Sequence, residues 1–440
     1  MGGNALKTLL PTASFPRMSP TVYRSLKAQL LSRIQPLYEL VAVPREAPEK
    51  VDYGDIDLVV AYPRAGLTHQ MVTEALRATC SVPPDGGRVT NFALAAIAFQ
   101  LGDKDVSAKN GAAQVFYQVD INVMADKAEW EDQMFTSSYG DVGLILGQMT
   151  RTIGLSFGVH GLKFADPLPT RPPIAFHICN TLSPILAYFG LSMDRWAIGF
   201  SSQLEIFDWL ATSTLFDPCA IVNHHEKLST VDNSKERGRK ARAMFQNFVL
   251  YARERAESES TPTSESDHLH EQELTQAAVL RHFGRYAAYA AILHADKIRR
   301  QVDEVFSGSL VQEWTGVRSV PVRWVMDGVR ERLTARYTKQ HLDDNRGQDD
   351  IGNLDLNREL QDERERKMAC IASWELVLST MSLDDVRAEV VEVKDEMEVA
   401  GKLIYDWRAA KAEKAEKRRA VEQSMKDLNS DMTALSVKDD

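Results

Sequence analysis

The chain has 440 residues, of which 44% are hydrophobic and 26% charged, and carries a formal net charge of −10. That length allows two or three domains with sizeable cores. The acidic balance excludes a chain-wide nucleic-acid footprint and leaves room only for a local basic patch. Four cysteines (Cys80, Cys179, Cys219, Cys370) lie far apart with no CxxC or Cys/His cluster. This argues against structural zinc and for reduced thiols in an intracellular compartment, cytoplasmic or nuclear. No stretch reads as a signal peptide, and none reaches the ~18 uninterrupted apolar residues of a membrane span.

Gly2-Gly3-Asn4 opens the chain. Ser19 as N-cap and Pro20 as first residue start a helix that runs to Ile34, with Tyr23, Leu26, Leu30, Leu31 and Ile34 as its apolar stripe. Residues 38–43 read as a strand, and Pro44 and Pro48 bracket a loop that carries Arg45 and leads to Lys50. The turn signal Asp52-Tyr53-Gly54 then runs into the apolar segment Asp55-Ile56-Asp57-Leu58-Val59-Val60. Residues i and i+2 of a strand face the same side, so Asp55 and Asp57 project together while Ile56 and Leu58 turn into a core. A helix over Thr68–Thr79, a Pro-Gly turn at 83–87, a segment over Val89–Phe99 that fits either strand or helix, and a polar loop at 102–111 follow. Gln114–Met124 is the next strand. Its Asp120 sits in an apolar run, where an unpaired charge is costly.

Ser138-Tyr139-Gly140-Asp141 precedes an apolar helix, Val142–Ile153, and Gly154, Gly158 and Gly161 break the pattern after it. The Pro-rich stretch 167–173 marks a boundary. Beyond it the chain reads as largely helical, with an aromatic-rich segment at Leu204–Leu210 and helices over Ser234–Arg255 and Glu271–Phe306. Lys235, Arg237, Arg239, Lys240 and Arg242 cluster at the start of the first of these. Cations there oppose the helix dipole, a hint that something anionic compensates. Residues 257–268 are a polar low-complexity loop and 343–352 a polar linker. Leu354–Met381 and Leu383–Leu428 are rich in Ala, Glu, Lys and Arg and suit long charged helices, in a hairpin or coiled coil open to a partner or a second copy.

Two carboxylates side by side repel unless a cation joins them, and an oxygen-only pair suits Mg²⁺. If the strand of Asp120 neighbours that of Asp55 and Asp57, three carboxylates converge, the minimum apparatus for two-metal phosphoryl transfer. The motifs Gly54-Asp55-Ile56-Asp57 and Val119-Asp120-Ile121-Asn122 resemble those of the polymerase-β-type nucleotidyltransferase superfamily. Together with Gly2-Gly3-Asn4-Ala5, they resemble more narrowly a group of nucleotidyltransferase-like proteins of fungi, phages and large DNA viruses. Ser138-Tyr139-Gly140-Asp141, Trp196-Ala197-Ile198-Gly199-Phe200 and Glu313-Trp314-Thr315-Gly316 are further echoes. The likeness spans roughly residues 2 to 335.

The resemblance implies an α+β fold, with Val89–Phe99 a strand between the two aspartate strands of a small mixed-sheet nucleotidyltransferase core at 1–165; the pattern of the chain beyond it gives a largely helical domain at 166–335 and a charged helical extension at 336–440. It implies that Asp55, Asp57 and Asp120 bind Mg²⁺ or Mn²⁺ and carry catalysis. A nucleoside monophosphate would pass from a nucleoside triphosphate to a hydroxyl of RNA, protein or a small molecule, with RNA engaged through the basic helix Lys235–Arg242. The superfamily's Gly-Ser pair ahead of the first aspartates is missing from residues 40–50. Arg45, Lys50, Gly2, Gly3, Asn4 and Tyr139 are the candidates for nucleotide binding in its place. The alternative is a catalytically inactive binding or scaffold protein with the same fold.

Overall fold

The computed structural model describes residues 6–83, 88–100, 114–229, 242–258, 276–341, 356, 358–405, 407–408, 411–412 and 415–423. Gly2, Gly3, Asn4, most of the basic cluster at 235–242 and the polar segments beyond residue 258 and at 343–352 lie outside these. The chain divides into two compact units, Met1–Tyr286 and Ala287–Asp440. The expected boundaries at 165/166 and 335/336 do not coincide with this division, each falling inside a unit. No described helix is long and apolar enough to cross a membrane.

The first unit is α+β. Helix α1 (Pro20–Ile34) starts where Ser19 Oγ accepts from the Val22 amide, and it buries Tyr23, Leu26, Leu30 and Ile34. Strands β1 (Tyr38–Ala42) and β2 (Asp55–Pro63) follow, then helix α2 (His69–Leu76), β3 (Cys80–Val82), β4 (Val89–Ala95) and β5 (Phe116–Met124). They form one five-stranded sheet in the order β1-β2-β5-β4-β3. Only β2 and β5 run parallel; every other pair is antiparallel. The strand expected over Val89–Phe99 stops at Ala95, which pairs with Phe116, the first residue of β5. One more bond follows, from the Ala96 amide to the Val115 carbonyl at 3.0 Å, and a 3₁₀ turn over Ala96–Phe99 takes over.

After α3 (Lys127–Ser137) and α4 (Val142–Thr152) comes a second sheet, β6 (Leu155–Gly158), β7 (Gly161–Phe164) and β8 (His177–Cys179), where the sequence suggested only glycine breaks. Gly161 has φ +81°, and a Cβ there would lie 2.2 Å from the Cys179 carbonyl oxygen, so the glycine permits the β7–β8 approach. Helices α5 (Leu182–Tyr188), α6 (Met193–Ile198), α7 (Gln203–Ala211), α8 (Pro218–Ser229) and α9 (Ala243–Ser258) complete the main elements of this unit. The long helix expected over Glu271–Phe306 is interrupted at Gly284, whose φ of +60° ends one helix before another begins at Tyr286.

Every named element of the second unit is a helix. Helices Gly308–Thr315, Val320–His341, Glu363–Ala369, Ser373–Thr380 and Leu383–Val399 pack with the C-terminal half of Tyr286–Val305 around Val302, Phe306, Val329, Leu333, Leu378 and Val390. The two long helices expected over 354–381 and 383–428 are shorter. Asp362 caps Glu363–Ala369, the chain is extended at Cys370, and Gly401 (φ +68°) follows Leu383–Val399. Glu389, nearly buried, is paired with Arg332 and Arg336 of the facing helix.

Candidate functional site

One face of the five-stranded sheet is sealed. Ile56, Leu58 and Val60 of β2, Val119 and Ile121 of β5, and Phe92 and Leu94 of β4 pack under α1 and α2. The other face is covered only at its two ends. Leu6, Leu10 and Phe15 close over Phe116, Ala93 and Ala95 at one end. Trp130 and Met134 of α3 close over Val59, Ala61 and Met124 at the other. Between these covers lie Asp55, Asp57, Gln118 and Asp120. The alternation of the strands dictates this, because residues two apart share a face.

The register sets the carboxylates against one another. Asp57 is the direct partner of Asp120 in the parallel β2–β5 pair, and Asp55 is the partner of Gln118. Asp57 has a solvent-exposed edge, yet it stands in a concavity that surrounds it on most sides. Burial, then the charges of Asp55 and Asp120, push its pKa up to about 7, against a lowering pull from Lys50. Asp120 is also raised, first by burial. Its carboxylate turns toward the β4 side, where Asn91 Nδ2 donates to Oδ1 at 2.7 Å, and Gln118 Nε2 donates to the same oxygen at 2.8 Å. Those amides engage its Oδ1 while Asp120 still faces the charges of the pair on β2. Among the described residues no three His, Cys, Asp or Glu side chains gather closely enough to hold an ion together. Asp55 and Asp57, an open and mutually repelling oxygen pair, suit a hard divalent cation that completes its shell with water or phosphate oxygens.

A cleft of about 1220 Å³ opens over Asp55 and Asp57. Asp120 does not line it. Four cations do: Arg17, Arg45, Lys50 and Arg242. Lys50 Nζ lies 4.6 Å from the centre of the Tyr53 ring. Tyr53 in turn stacks on Tyr23 with centroids 3.8 Å apart and planes 14° apart. Its hydroxyl donates to Glu46 Oε2 at 3.1 Å, and Glu46 Oε1 accepts from Lys27 Nζ at 2.7 Å. Backbone bonds in both directions with Met18 fix Tyr53 further. Burial followed by the nearby charge of Glu46 raises the Tyr23 phenol's pKa, so it stays neutral. Arg17 is paired with Asp52 at 2.8 Å.

Arg45 is held by a latch. Its amide donates to Ser138 Oγ at 2.9 Å, and its carbonyl accepts from the Tyr139 amide at 2.7 Å. Its Nη1 donates to Tyr139 Oη at 2.7 Å and to the carbonyls of Trp196 and Ala197 at 3.1 and 2.7 Å. The guanidinium lies 4.6 Å from the Trp196 ring. Two of the sequence echoes, around Tyr139 and Trp196, thus meet at Arg45. The third, around Trp314, lies in the second unit, where Gly316 caps a helix.

Of the candidate residues, Asp55, Asp57, Arg45 and Lys50 line the cleft. Asp120 adjoins them on the neighbouring strand without lining the cleft. Tyr139 is 4% exposed, donates to the Trp196 carbonyl and does not line the cleft, so its place is behind Arg45 rather than against a ligand. Gly2, Gly3 and Asn4 fall outside the described residues, as does the basic cluster except Arg242. Arg242 reaches the cleft through a 2.7 Å ion pair with Asp141. Arg17 and Glu46 carry no sequence signal that marks them as cleft residues. Tyr23 is core, as its helical spacing predicts, and its ring also forms part of the cleft wall, which no local signal announces. No protein-family model matches the chain, and no curated protein matches it.

Proposed function

We propose that the cleft of the first unit is the active site of a divalent-cation-dependent nucleotidyltransferase, built on a polymerase-β-type core. The observation that carries this reading is the in-register placement of Asp57 opposite Asp120, with Asp55 two residues away on the same uncovered face, beneath a cleft edged by Arg45 and Lys50. Asp55 and Asp57 would hold Mg²⁺ or Mn²⁺. When bound, the ion neutralises phosphate oxygens and favours the ionised form of an attacking hydroxyl. Lys50, braced on the Tyr53 ring, and Arg45, latched to the helical wall, supply positive charge to the triphosphate where the superfamily's Gly-Ser pair is missing. The acceptor oxygen attacks the α-phosphorus, the bond to the β-phosphate bridge breaks, and pyrophosphate leaves. Asp120, raised in pKa, takes the acceptor's proton once it leaves the Asn91 and Gln118 amides.

A second reading, a nucleotide-binding protein without turnover, is favoured by one observation: the amide grip that keeps Asp120 out of the cleft. Incubation with each α-labelled nucleoside triphosphate and Mg²⁺ or Mn²⁺, with RNA, casein and small polyols offered as acceptors, separates the two. Label transferred to an acceptor or to the protein itself, lost in Asp57→Asn, supports the first. Cation-dependent binding with the label unmoved supports the second.

A further inference from the structure

The cleft exceeds the ~300–1,000 Å³ that encloses one drug-sized ligand, and its helical wall carries a charge arrangement that the triphosphate does not use. Asp141, 8% exposed, precedes α4 but its side chain caps none of that helix's amides. Its Oδ1 instead accepts from Arg242 Nη1 at 2.7 Å, while the Arg242 side chain remains 59% exposed. The Asp141 amide donates to Met244 Sδ at 3.4 Å, two residues beyond Arg242. Gly140 leaves no slack there, since a Cβ would lie 3.2 Å from the same sulfur. Arg242 is thereby held at its side chain, and the side chain of Met244, two residues on, is held against the Asp141 amide. The pair uses Nη1 alone, and the remaining guanidinium N–H groups donate to no described residue. A planar fork fixed on one edge and open on the other is the geometry that receives a phosphate or carboxylate.

We infer that Arg242, positioned by Asp141, forms a second anion subsite in the cleft, and that it holds an anionic group of the hydroxyl acceptor. The identity of that ligand rests on the nucleotidyl-transfer reading; the anion site itself does not. The other cations have separate duties: Arg17 commits both Nε and Nη2 to Asp52, Arg45 is spent partly on carbonyls, and Lys50 stands over Tyr53 toward Asp57.

Calorimetric titration with inorganic phosphate tests the site without turnover. Wild-type protein is expected to bind two equivalents; Arg242→Gln loses one and keeps the one that Lys50→Gln removes. Arg242→Lys, which keeps charge but not the fork, is expected to weaken that equivalent by about tenfold. An unchanged near-ultraviolet circular dichroism spectrum guards against unfolding. A wild type that binds one equivalent or none, or an Arg242→Gln variant that loses both or neither, overturns the proposal. In the transfer assay, glycerol, glycerate and glycerol 3-phosphate share a two-carbon diol and differ at the third carbon, which is a hydroxymethyl, a carboxylate or a phosphorylated hydroxymethyl group. Arg242→Gln should raise KM for the anionic acceptors about tenfold more than for glycerol, and whichever anion shows the larger change is the class recognised. Equal changes for all three overturn the acceptor assignment. If no triphosphate is turned over while the Arg242-dependent phosphate equivalent persists, the transferase reading fails, the acceptor assignment falls with it, and the anion site stands.

Discussion

Replacing Asp57 with Asn should make the cation-free protein more stable at neutral pH, not less. Asn keeps the size of Asp and removes the charge. In the folded chain burial, Asp55 and Asp120 hold the Asp57 carboxyl near 7, against about 3.9 when unfolded. The folded state therefore binds more protons than the unfolded state between about pH 4 and pH 7, and stability falls as pH rises through that window. Three units at about 1.4 kcal/mol each set a ceiling of roughly 4 kcal/mol. The exposed edge of Asp57 is screened by water, which leaves about 1–2 kcal/mol. Urea unfolding in chelator should show the Asn variant more stable by that amount at pH 8, with the gap closing near pH 4. A variant less stable at pH 8, or a difference that ignores pH, would refute the mutual repulsion on which the cation site depends.

Tyr53→Leu removes both the stack on Tyr23 and the platform under Lys50 and should cost about 2–4 kcal/mol in chemical denaturation. Tyr53→Phe keeps the ring, loses only the bond to Glu46 and should cost about 1 kcal/mol; equal losses would contradict the stacked arrangement. Gly140→Ala must adopt φ +74° and meet the Ala47 methyl at 3.1 Å, so the midpoint of thermal unfolding should fall by an amount equivalent to about 1–2 kcal/mol. Asn91→Ala takes one amide donor from Asp120, and its carboxyl pKa, followed by carbon-13 NMR, should rise further; an unmoved titration would mean that the amide does not govern Asp120.

The aspartate face was legible because strands have a period of two. Ile56 and Leu58 could only be core, so Asp55 and Asp57 had to share the opposite face. Asp120 stood out as a charge in an apolar run. What local pattern could not supply was the rotamer: Asn91 lies on a different strand, and nothing near Asp120 in sequence announces that its carboxylate turns toward β4. The same limit hid the latch on Arg45. Tyr139 reads as a nucleotide-binding residue, whereas the αL turn there (φ +56°) sends its ring under Arg45 toward Trp196. The β6–β8 sheet was missed because its strands are four residues or fewer and punctuated by glycine, too short for alternation to register. In the second unit, composition gave helices but not their ends, which fall where Asp362 caps and Gly401 turns.

Titration of Mn²⁺ followed by electron paramagnetic resonance measures the carboxylate pair with no assumption about substrate. Wild-type protein at pH 8 should bind Mn²⁺ at a site that Asp55→Asn and Asp57→Asn each weaken by at least about tenfold, and binding should decline below pH 7 as Asp57 takes up its proton. Mn²⁺ that fails to bind, or that binds Asp57→Asn as tightly as wild type, would contradict the account.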